Sequence, residues 1–285
     1  MLAVAGASGQ LGRGVVAELL ERVPAAELRL LTRTPERLDH LAAHGADVRR
    51  ADLDEPDALP DALAGVRGLL LISTDALDRR VTQHRDAISA AVAAGVERVI
   101  YTSVVSPVEG NPAAVVESHR QTEEDLRAAG CAWTLLRNNL YAEYQAPELE
   151  AAQATGQVLH NRGDGTAAYV SRLDCSAVAA AVLAEDGHDG QAYDVTGPEA
   201  LSAADLAALY GELAGRPVEA VAVDDDTFIA ALAGEDADGH MQYGARLVAS
   251  FGRGIREGWF ADVSDVVERL TGRPPRSVRE VLATA

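Results

Sequence analysis

The sequence predicts an α/β protein built on a doubly wound parallel sheet. In its first half, short apolar runs alternate with amphipathic segments of helical length. Strands separated by helices of this length form right-handed βαβ units, and their parallel sheet is covered by helices on both faces. From about residue 142 helical segments dominate, which predicts a smaller, mostly helical C-terminal region that covers one edge of the sheet and a substrate cleft.

The apolar runs place six strands in the first half and two short strands in the second. They cover residues 2–6, 28–32, 46–51, 68–73, 96–103, 132–137, 167–171 and 191–196. Helices are expected at 15–23 and at 79–95, the second one ending at Gly95. Asp174 and Ser202 each precede a helical run and are expected to be its N-cap.

Composition restricts the possible partners. The formal net charge of −19 disfavours binding to nucleic acid or to anionic lipid, and no apolar run reaches membrane-spanning length. The first predicted strand begins at Leu2, which leaves no room for a signal peptide. Cys131 and Cys175 lack ligand-like spacing, and the Asp run at 224–226 is typical of a helix start. We therefore expect a cytoplasmic protein with no metal, membrane or nucleic-acid partner.

The chain contains no lysine, and all 25 of its basic residues are arginine. A phosphate-binding lysine of the Walker type and a Schiff-base mechanism are therefore excluded. The lysine-assisted tyrosine of ordinary short-chain dehydrogenases is excluded for the same reason.

The stretch GASGQLG lies between the first predicted strand and the first predicted helix. Gly6 permits a tight turn, Gly9 lets the backbone approach a pyrophosphate, and Gly12 lets the helix pack on the strand. The helix N-terminus then offers unpaired N–H groups and a favourable dipole to the anion. The alternative is a purely structural glycine corner, but the position at the first βα turn favours dinucleotide binding.

The end of the second strand indicates which dinucleotide. An NAD-binding unit places an acidic residue there for the ribose 2′-hydroxyl, whereas this chain has Arg33. Because a guanidinium pairs with a 2′-phosphate, we expect NADPH to be preferred over NADH. The alternative for Arg33 is a solvated arginine at a helix start. Asp52, after the third strand, is expected to face the adenine, to cap the following helix, or both.

Several short motifs in order resemble the NmrA-like atypical short-chain dehydrogenase/reductase family, and most of all its type 2 NAD(P)H:quinone oxidoreductases. They are GASGQLG, Arg33, LLLIST (69–74), QHRDAISAA (83–91), YTS (101–103) and LLRNNLY (135–141), with further likeness in the tail. The resemblance implies a Rossmann-type NADP-binding domain at 1–141, to which later segments return, and a smaller substrate-binding region at 142–285. It also implies a homodimer.

Matched motif by motif, the resemblance implies a set of cofactor contacts. These are Gly6, Ala7, Ser8, Gly9, Gln10 and Leu11 for the pyrophosphate, Arg33 for the 2′-phosphate, Ser73, Thr74 and Asp75 for the ribose and nicotinamide side, and Asn138, Asn139, Leu140 and Tyr141 to close over the nicotinamide. Asn139 and Leu140 depart from the glycine and aromatic residue of the quinone-reductase pattern, which leaves the acceptor open.

The segment that holds the catalytic tyrosine in ordinary short-chain dehydrogenases reads AAVVESHRQTEEDL here. His119 replaces the tyrosine and Glu123 replaces the expected cation, so we expect the acid to raise the pKa of a nearby proton donor. A quinone is then an easier acceptor than a ketone, because hydride transfer leaves a phenolate that water or a weak acid protonates. The candidate proton donors are His119, Tyr141 and Tyr144, with Ser103 as a hydrogen-bond partner.

Some of these residues have structural alternatives. His119 and His84 are also typical of exposed helical positions, and Glu123 with Glu124 is typical of a solvated helix face. Tyr144 is expected to be an aromatic wall residue.

Three functions remain open at this point. The leading hypothesis is an NADPH-dependent reductase acting on a small-molecule quinone or a similarly conjugated carbonyl. The second is a reductase of a polycyclic ketone or enone of secondary metabolism. The third is a regulator that binds NADP(H) without turnover, because the family contains such proteins.

Overall fold

A seven-stranded sheet forms the centre of the computed structural model, which describes residues 1–234 and 238–284. The strands are β1 (Leu2–Ala5), β2 (Leu28–Thr32), β3 (Asp47–Arg50), β4 (Gly68–Leu71), β5 (Arg98–Val104), β6 (Ala132–Asn138), β7 (Gln157–His160), β8 (Thr166–Ala167), β9 (Gln191–Val195), β10 (Leu201–Ser202) and β11 (Glu219–Ala222). The helices are α1 (Gln10–Leu20), α2 (Asp39–Ala43), α3 (Leu59–Leu63), α4 (Arg80–Ala93), α5 (Val116–Ala128), α6 (Ala146–Thr155), α7 (Arg172–Ala184), α8 (Ala203–Ala214), α9 (Asp225–Ala233), α10 (Gly239–Arg256), α11 (Val266–Thr271) and α12 (Val278–Leu282).

The strand order of the large sheet is β3-β2-β1-β4-β5-β6-β9, and every pairing in it is parallel. β1 pairs with β2 on one side and with β4 on the other, so the direction of winding reverses between β1 and β4. Loops leave the carboxyl ends of these two strands in opposite directions and open a crevice there. The predicted doubly wound parallel sheet is confirmed.

Each face of the sheet packs against helices. On one face, alternate strand residues such as Val4 and Leu30 pack against α1 and α7. On the other face, their neighbours Ala3 and Leu31 pack in a second cluster with α3 and α4. Both sets are apolar because a parallel sheet buries both of its faces.

The C-terminal half contributes both to the large sheet and to a separate apolar cluster beside it. Helix α7, strand β9 and helix α11 return to the large sheet, whereas α6, α8, α10 and α12 share a third apolar cluster beyond the carboxyl end of β5. The fully buried rings of Tyr169, Tyr210 and Phe260 lie in that cluster. Two small sheets, β7 with β11 and β8 with β10, hold this region together. It covers the crevice as expected, with Phe251 of α10 among the lining residues.

Helix starts differ from expectation in two places. Helix α1 begins at Gln10 instead of residue 15, because the glycine turn already has a helical geometry after Gly9. Asp174 is not an N-cap: Ser171 caps α7, and its Oγ accepts the Asp174 backbone N–H at 2.9 Å. The Asp174 carboxylate instead accepts the backbone N–H of Arg276 and so ties α7 to the tail.

Other helix starts follow the prediction. Ser202 caps α8 in a reciprocal capping box with Asp205. Asp224 begins the acidic run as the N-cap of α9 and accepts the Thr227 N–H at 2.7 Å. None of the helices in the described ranges is long and apolar enough to cross a membrane. The expected homodimer and the expected lack of a nucleic-acid partner stay predictions.

The contact of α1 with the turn after β1 leaves no room for a side chain at Gly12. A Cβ atom there would lie 2.2 Å from the Gly6 carbonyl oxygen and 2.9 Å from the Ala7 Cα, both parts of the backbone. We expect Gly12→Ala to lower the free energy of unfolding by about 3 kcal/mol, the upper part of the usual range for overpacking. Denaturant unfolding measures the change.

Gly244→Ala is the matched control. Gly244 is also helical, but a Cβ atom there meets nothing within 4 Å. Alanine should raise the free energy of unfolding by about 0.5–1 kcal/mol through its better helix propensity. Equal effects of the two substitutions would contradict the close approach at Gly12.

Candidate active site

A cleft of about 1030 Å³ runs along the carboxyl ends of β2, β1, β4, β5 and β6. This volume lies at the upper end of the range for small-molecule and cofactor sites. Every residue that the sequence predicted for the site except Ala7 lines it. They are Gly6, Ser8, Gly9, Gln10, Leu11, Arg33, Asp52, Ser73, Thr74, Asp75, Ser103, His119, Asn138, Asn139, Leu140 and Tyr141.

The glycine turn presents free backbone donors to the cleft. Gly6 has φ of +84°, and its N–H and that of Ala7 both bond the Leu31 carbonyl, so the turn is fixed on β2. Ala7 itself is fully buried beneath the turn. Gly9 is the N-cap of α1 and has no side chain to accept the first helical N–H groups. These donors and the helix dipole suit a pyrophosphate.

The end of β2 carries two arginines without a carboxylate partner. Arg33 and Arg37 are both exposed and line the cleft, and neither forms an ion pair within residues 1–234 and 238–284. A pair of guanidinium groups at this position fits the 2′-phosphate of NADPH. The sequence analysis identified Arg33 and missed Arg37. The two arginines are four residues apart in RTPER, and this spacing could have indicated that both lie on the same side of a helical turn.

Asp52 belongs to a turn instead of capping a helix. One of its carboxylate oxygens accepts the backbone N–H of Asp54 at 3.1 Å, and the residue lines the cleft beside Leu53. The short helix that follows starts after Glu55 without a side-chain cap. The adenine-facing assignment of Asp52 stays a prediction.

The loop after β4 is held by a partly buried polar network. The Ser73 N–H donates to the Thr102 Oγ1 at 2.8 Å, and the Thr74 N–H donates to the His84 Nε2 at 3.2 Å. The Thr74 hydroxyl also donates to the Gln83 side chain at 2.8 Å. Helix α4 thereby determines where the loop lies along the cleft.

His84 is a buried member of this network, so its expected surface position is wrong. The Thr122 hydroxyl donates to the Ser118 carbonyl and accepts from the His84 Nδ1–H, which leaves Nε2 as the acceptor for Thr74. Burial, with a contribution from the positive charge of Arg80, lowers the pKa of His84 to about 3. The imidazole is therefore neutral at physiological pH.

The loop after β6 closes the other end of the cleft. The Asn139 side chain donates to the Phe260 carbonyl and accepts the Leu140 N–H, so it fixes the loop. The Asn138 Nδ2 donates to the Tyr141 hydroxyl at 3.3 Å, while its buried Oδ1 has no partner among the described residues. A buried acceptor left open at a cleft suits an amide donor of a ligand, such as a carboxamide.

An aromatic wall stands at this end. The guanidinium of Arg172 contacts the rings of both Tyr141 and Tyr144, 4.9 and 4.8 Å from their centroids, and the two rings are 5.9 Å apart. Tyr144 is 61% exposed, as expected for a wall residue, and Leu140 and Phe251 add apolar surface. Burial raises the pKa of Tyr141, so its phenol stays protonated at neutral pH.

His119 lies inside the cleft and not on the surface. Its Nδ1 is 2.7 Å from the Tyr101 hydroxyl, and its Nε2 is 3.4 Å from an Arg80 nitrogen. Burial, together with the nearby charge of Arg80, holds the pKa of His119 well below its usual range. The expectation that a nearby acid raises the pKa of this donor is therefore wrong.

Glu123 is buried, which corrects its expected place on a solvated face, whereas Glu124 is exposed. The Glu123 carboxylate pairs with Arg137 at 2.7 Å and with Arg127 at 3.0 Å, and it accepts the Ser103 hydroxyl at 2.7 Å. Because two guanidinium groups balance its charge, Glu123 orients Ser103 without making the cleft acidic.

Fold and cleft together define a dinucleotide-binding α/β protein of the Rossmann type. Residues 6–186 match the family described as NAD(P)H-binding, and the chain belongs to this family. It is 36% identical to quinone oxidoreductase 2 of Escherichia coli, over 98% of this chain and 96% of that protein. It is 30% identical to the NAD(P)H azoreductase of Xenophilus azovorans, again over 98% and 96%.

A solved structure agrees with this assignment. The crystal structure of the NADPH-dependent quinone oxidoreductase QOR2 of Escherichia coli, complexed with NADPH, superimposes with a TM-score of 0.95 at 35% identity. The match covers 100% of this chain and 99% of that one. These relationships identify the chain as an NAD(P)H-dependent oxidoreductase and confirm the predicted family resemblance.

The neutral state of His84 generates a pH dependence of stability. An unfolded histidine titrates near 6.5 and the folded His84 at about 3. Between these values the unfolded chain binds more protons, so stability present above pH 6.5 is lost as the pH falls, by up to about 1.4 kcal/mol per pH unit. Gln at this position keeps a hydrogen-bond donor and an acceptor but does not titrate. His84→Gln should therefore reduce the slope of the free energy of unfolding against pH.

The measurement is denaturant unfolding at several pH values from 4 to 7, compared with wild type. His40→Gln, at an exposed position on α2, is the control and should keep the wild-type slope. An unchanged slope in the His84→Gln protein would mean that His84 titrates alike in the folded and unfolded chains.

Proposed function

We propose that the protein is an NADPH-dependent reductase of quinones or of similarly conjugated planar carbonyl compounds. The observation that carries the proposal is one continuous cleft with two chemically different ends. One end holds Arg33 and Arg37, which form no ion pair with the residues that the structure describes, and the wall of Tyr141, Arg172 and Tyr144 stands at the other. Both the relatives named quinone oxidoreductase and azoreductase support reduction of a conjugated acceptor.

The cofactor, when bound, supplies the hydride. The chain binds the pyrophosphate at the N-terminus of α1 and the 2′-phosphate at Arg33 and Arg37. The network around Thr74 and His84 fixes the loop against which the ribose lies. The unpartnered Oδ1 of Asn138 would accept a hydrogen bond from the carboxamide of the bound cofactor and so help to orient it.

The acceptor stacks on the exposed ring of Tyr144 and on the apolar side chains of Leu140 and Phe251. A flat conjugated molecule needs this kind of wall, and the apolar cover from the C-terminal region excludes water from the transfer. His119, Tyr141 and Ser103 line the same end and stay the candidate donors of the final proton. A phenolate product also accepts a proton from water, so the reaction does not require a strong proton donor from the protein.

The test of this function is oxidation of NADPH by the purified protein in the presence of benzoquinones and naphthoquinones. We expect rapid loss of the reduced-nicotinamide absorbance with NADPH and a slower loss with NADH. Nucleotide titration by fluorescence accompanies the assay. Tight NADPH binding without turnover on any quinone or enone would replace the proposal with a nucleotide-sensing role.

Arg33→Ala tests the preference for NADPH. Loss of a charge-assisted hydrogen bond to the 2′-phosphate costs about 1.5–3 kcal/mol, so the Kd for NADPH should rise about 10- to 150-fold. The Kd for NADH, which lacks that phosphate, should stay nearly unchanged. Isothermal titration of both nucleotides measures the effect.

Arg13→Ala is the control for loss of one positive charge near the same turn. Arg13 is exposed on α1 and does not line the cleft. Its removal should leave the NADPH to NADH affinity ratio unchanged. Equal NADPH affinities of the Arg33→Ala and wild-type proteins would mean that the 2′-phosphate binds elsewhere.

A further inference from the structure

Arg80 is a buried cation at the acceptor end of the cleft. It is the first residue of α4, is 6% exposed, and lines the cleft. A buried guanidinium is always protonated, and its burial is costly unless an anion or several hydrogen bonds compensate the charge. The surroundings of Arg80 therefore indicate what binds there.

The protein partners of Arg80 are neutral. Its Nε donates to the Thr74 carbonyl at 2.7 Å, and one terminal nitrogen lies 3.2 Å from the Ser118 Oγ and 3.4 Å from the His119 Nε2. The neutral imidazole of His119 accepts this contact. Within residues 1–234 and 238–284 no carboxylate oxygen lies within ion-pair distance of the guanidinium. Its other terminal nitrogen bonds to none of these residues.

The adjacent arginine is different. Arg79 is more than half exposed and pairs with Asp54 at 2.7 Å. The charge of Arg79 is therefore balanced by the protein itself. Within residues 1–234 and 238–284 Arg80 forms no ion pair and keeps a free donor at the cleft, although the more distant charge of Asp75 favours its charged form.

The position of Arg80 separates it from the 2′-phosphate. Thr74 follows β4 and His119 lies on α5, which follows β5, whereas Arg33 follows β2. β2 and β4 are two strand spacings apart, which is about 10 Å. Its contacts with Thr74 after β4 and with Ser118 and His119 of α5 thus place Arg80 on the side of the cleft to which the proposed function assigns the nicotinamide and the acceptor.

We propose that Arg80 binds the acceptor oxygen that becomes negatively charged during reduction. This inference rests on the proposed function. A quinone that takes a hydride from the reduced nicotinamide gains two electrons and one hydrogen, and the nicotinamide is oxidised. The product is a hydroquinone monoanion, whose phenolate oxygen faces the guanidinium until it takes a proton from water.

A fixed cation in a site shielded from water stabilises such a developing charge more than it stabilises the neutral quinone. Arg80 thereby does the work that a lysine-assisted tyrosine does elsewhere, in a chain that contains no lysine. The positive charge of Arg80 also explains how the cleft favours an anionic product although His119 is neutral and Tyr141 is protonated.

The test uses a nitrated phenol, whose neutral and ionised forms absorb at different wavelengths, as a mimic of the product. The phenol is titrated into the full-length protein in the presence of NADP⁺ over a range of pH. We expect the bound phenol to remain ionised about one pH unit or more below the free phenol, which corresponds to at least tenfold preference for phenolate. In Arg80→Gln this difference should disappear.

Variants separate charge from structure. Arg80→Lys retains a cation and should keep part of the shift in the pKa of the bound phenol. If the guanidinium had a purely structural role, the pKa of the bound phenol would not depend on the charge at residue 80. Arg85→Gln is the control, because Arg85 lies on the same helix, is half exposed and pairs with Asp125 at 2.8 Å. With quinones, Arg80→Gln should lower kcat about 100-fold and change KM less.

Three results would overturn the inference: no binding of the phenol, binding of its neutral form to the wild-type protein, or the same ionisation in Arg80→Gln. Binding of the neutral phenol to the wild-type protein overturns the inference even where a variant fails to fold. Quinone turnover together with binding of a neutral phenol would keep the proposed function and remove the role of Arg80. An Arg80-dependent phenolate shift without quinone turnover would remove the proposed quinone-reductase function but would retain Arg80 as an anion-binding residue.

Discussion

The close backbone contact between α1 and the turn after β1 is the constraint on which the site depends. The first turn of α1 contacts the Gly6 carbonyl so closely that no Cβ atom fits at Gly12. This contact holds the N-terminus of α1 at the carboxyl edge of the sheet. The reversal of strand order between β1 and β4 then sends the next loop to the opposite side of the same crevice. The glycine turn, the Arg33 loop and the Thr74 loop all face one volume as a consequence.

Buried polar groups adapt this common framework to a chain without lysine. His84 and His119 are kept neutral by burial next to Arg80, so they act as hydrogen-bonding groups of fixed geometry. The charge of Glu123 is balanced by Arg127 and Arg137. Arginine thus supplies each permanent positive charge of the cleft, and a guanidinium does so without losing its proton when it is buried.

Local patterns predicted the parts of the molecule whose causes are local. Parallel strands buried on both faces are near-continuous apolar runs, and a glycine turn between a strand and a helix has a limited set of uses. The caps at Ser202 and Asp224 follow from side chains that reach their own helix. Asp174 was assigned wrongly because Ser171 competes for the same backbone N–H groups, and spacing alone does not choose between them.

The sequence by itself determined the fold class, the family, the position of the pyrophosphate turn and the presence of Arg33 after β2. Only the tertiary structure decided that His84 is buried, that Glu123 is paired with two arginines, and that Arg80 forms no ion pair with any carboxylate in the described part of the chain. The physical reason is the range of the interactions. Periodicity and turns act within a few residues, whereas the state of a charge depends on groups from other elements, such as the pairing of Glu123 with Arg137 of β6.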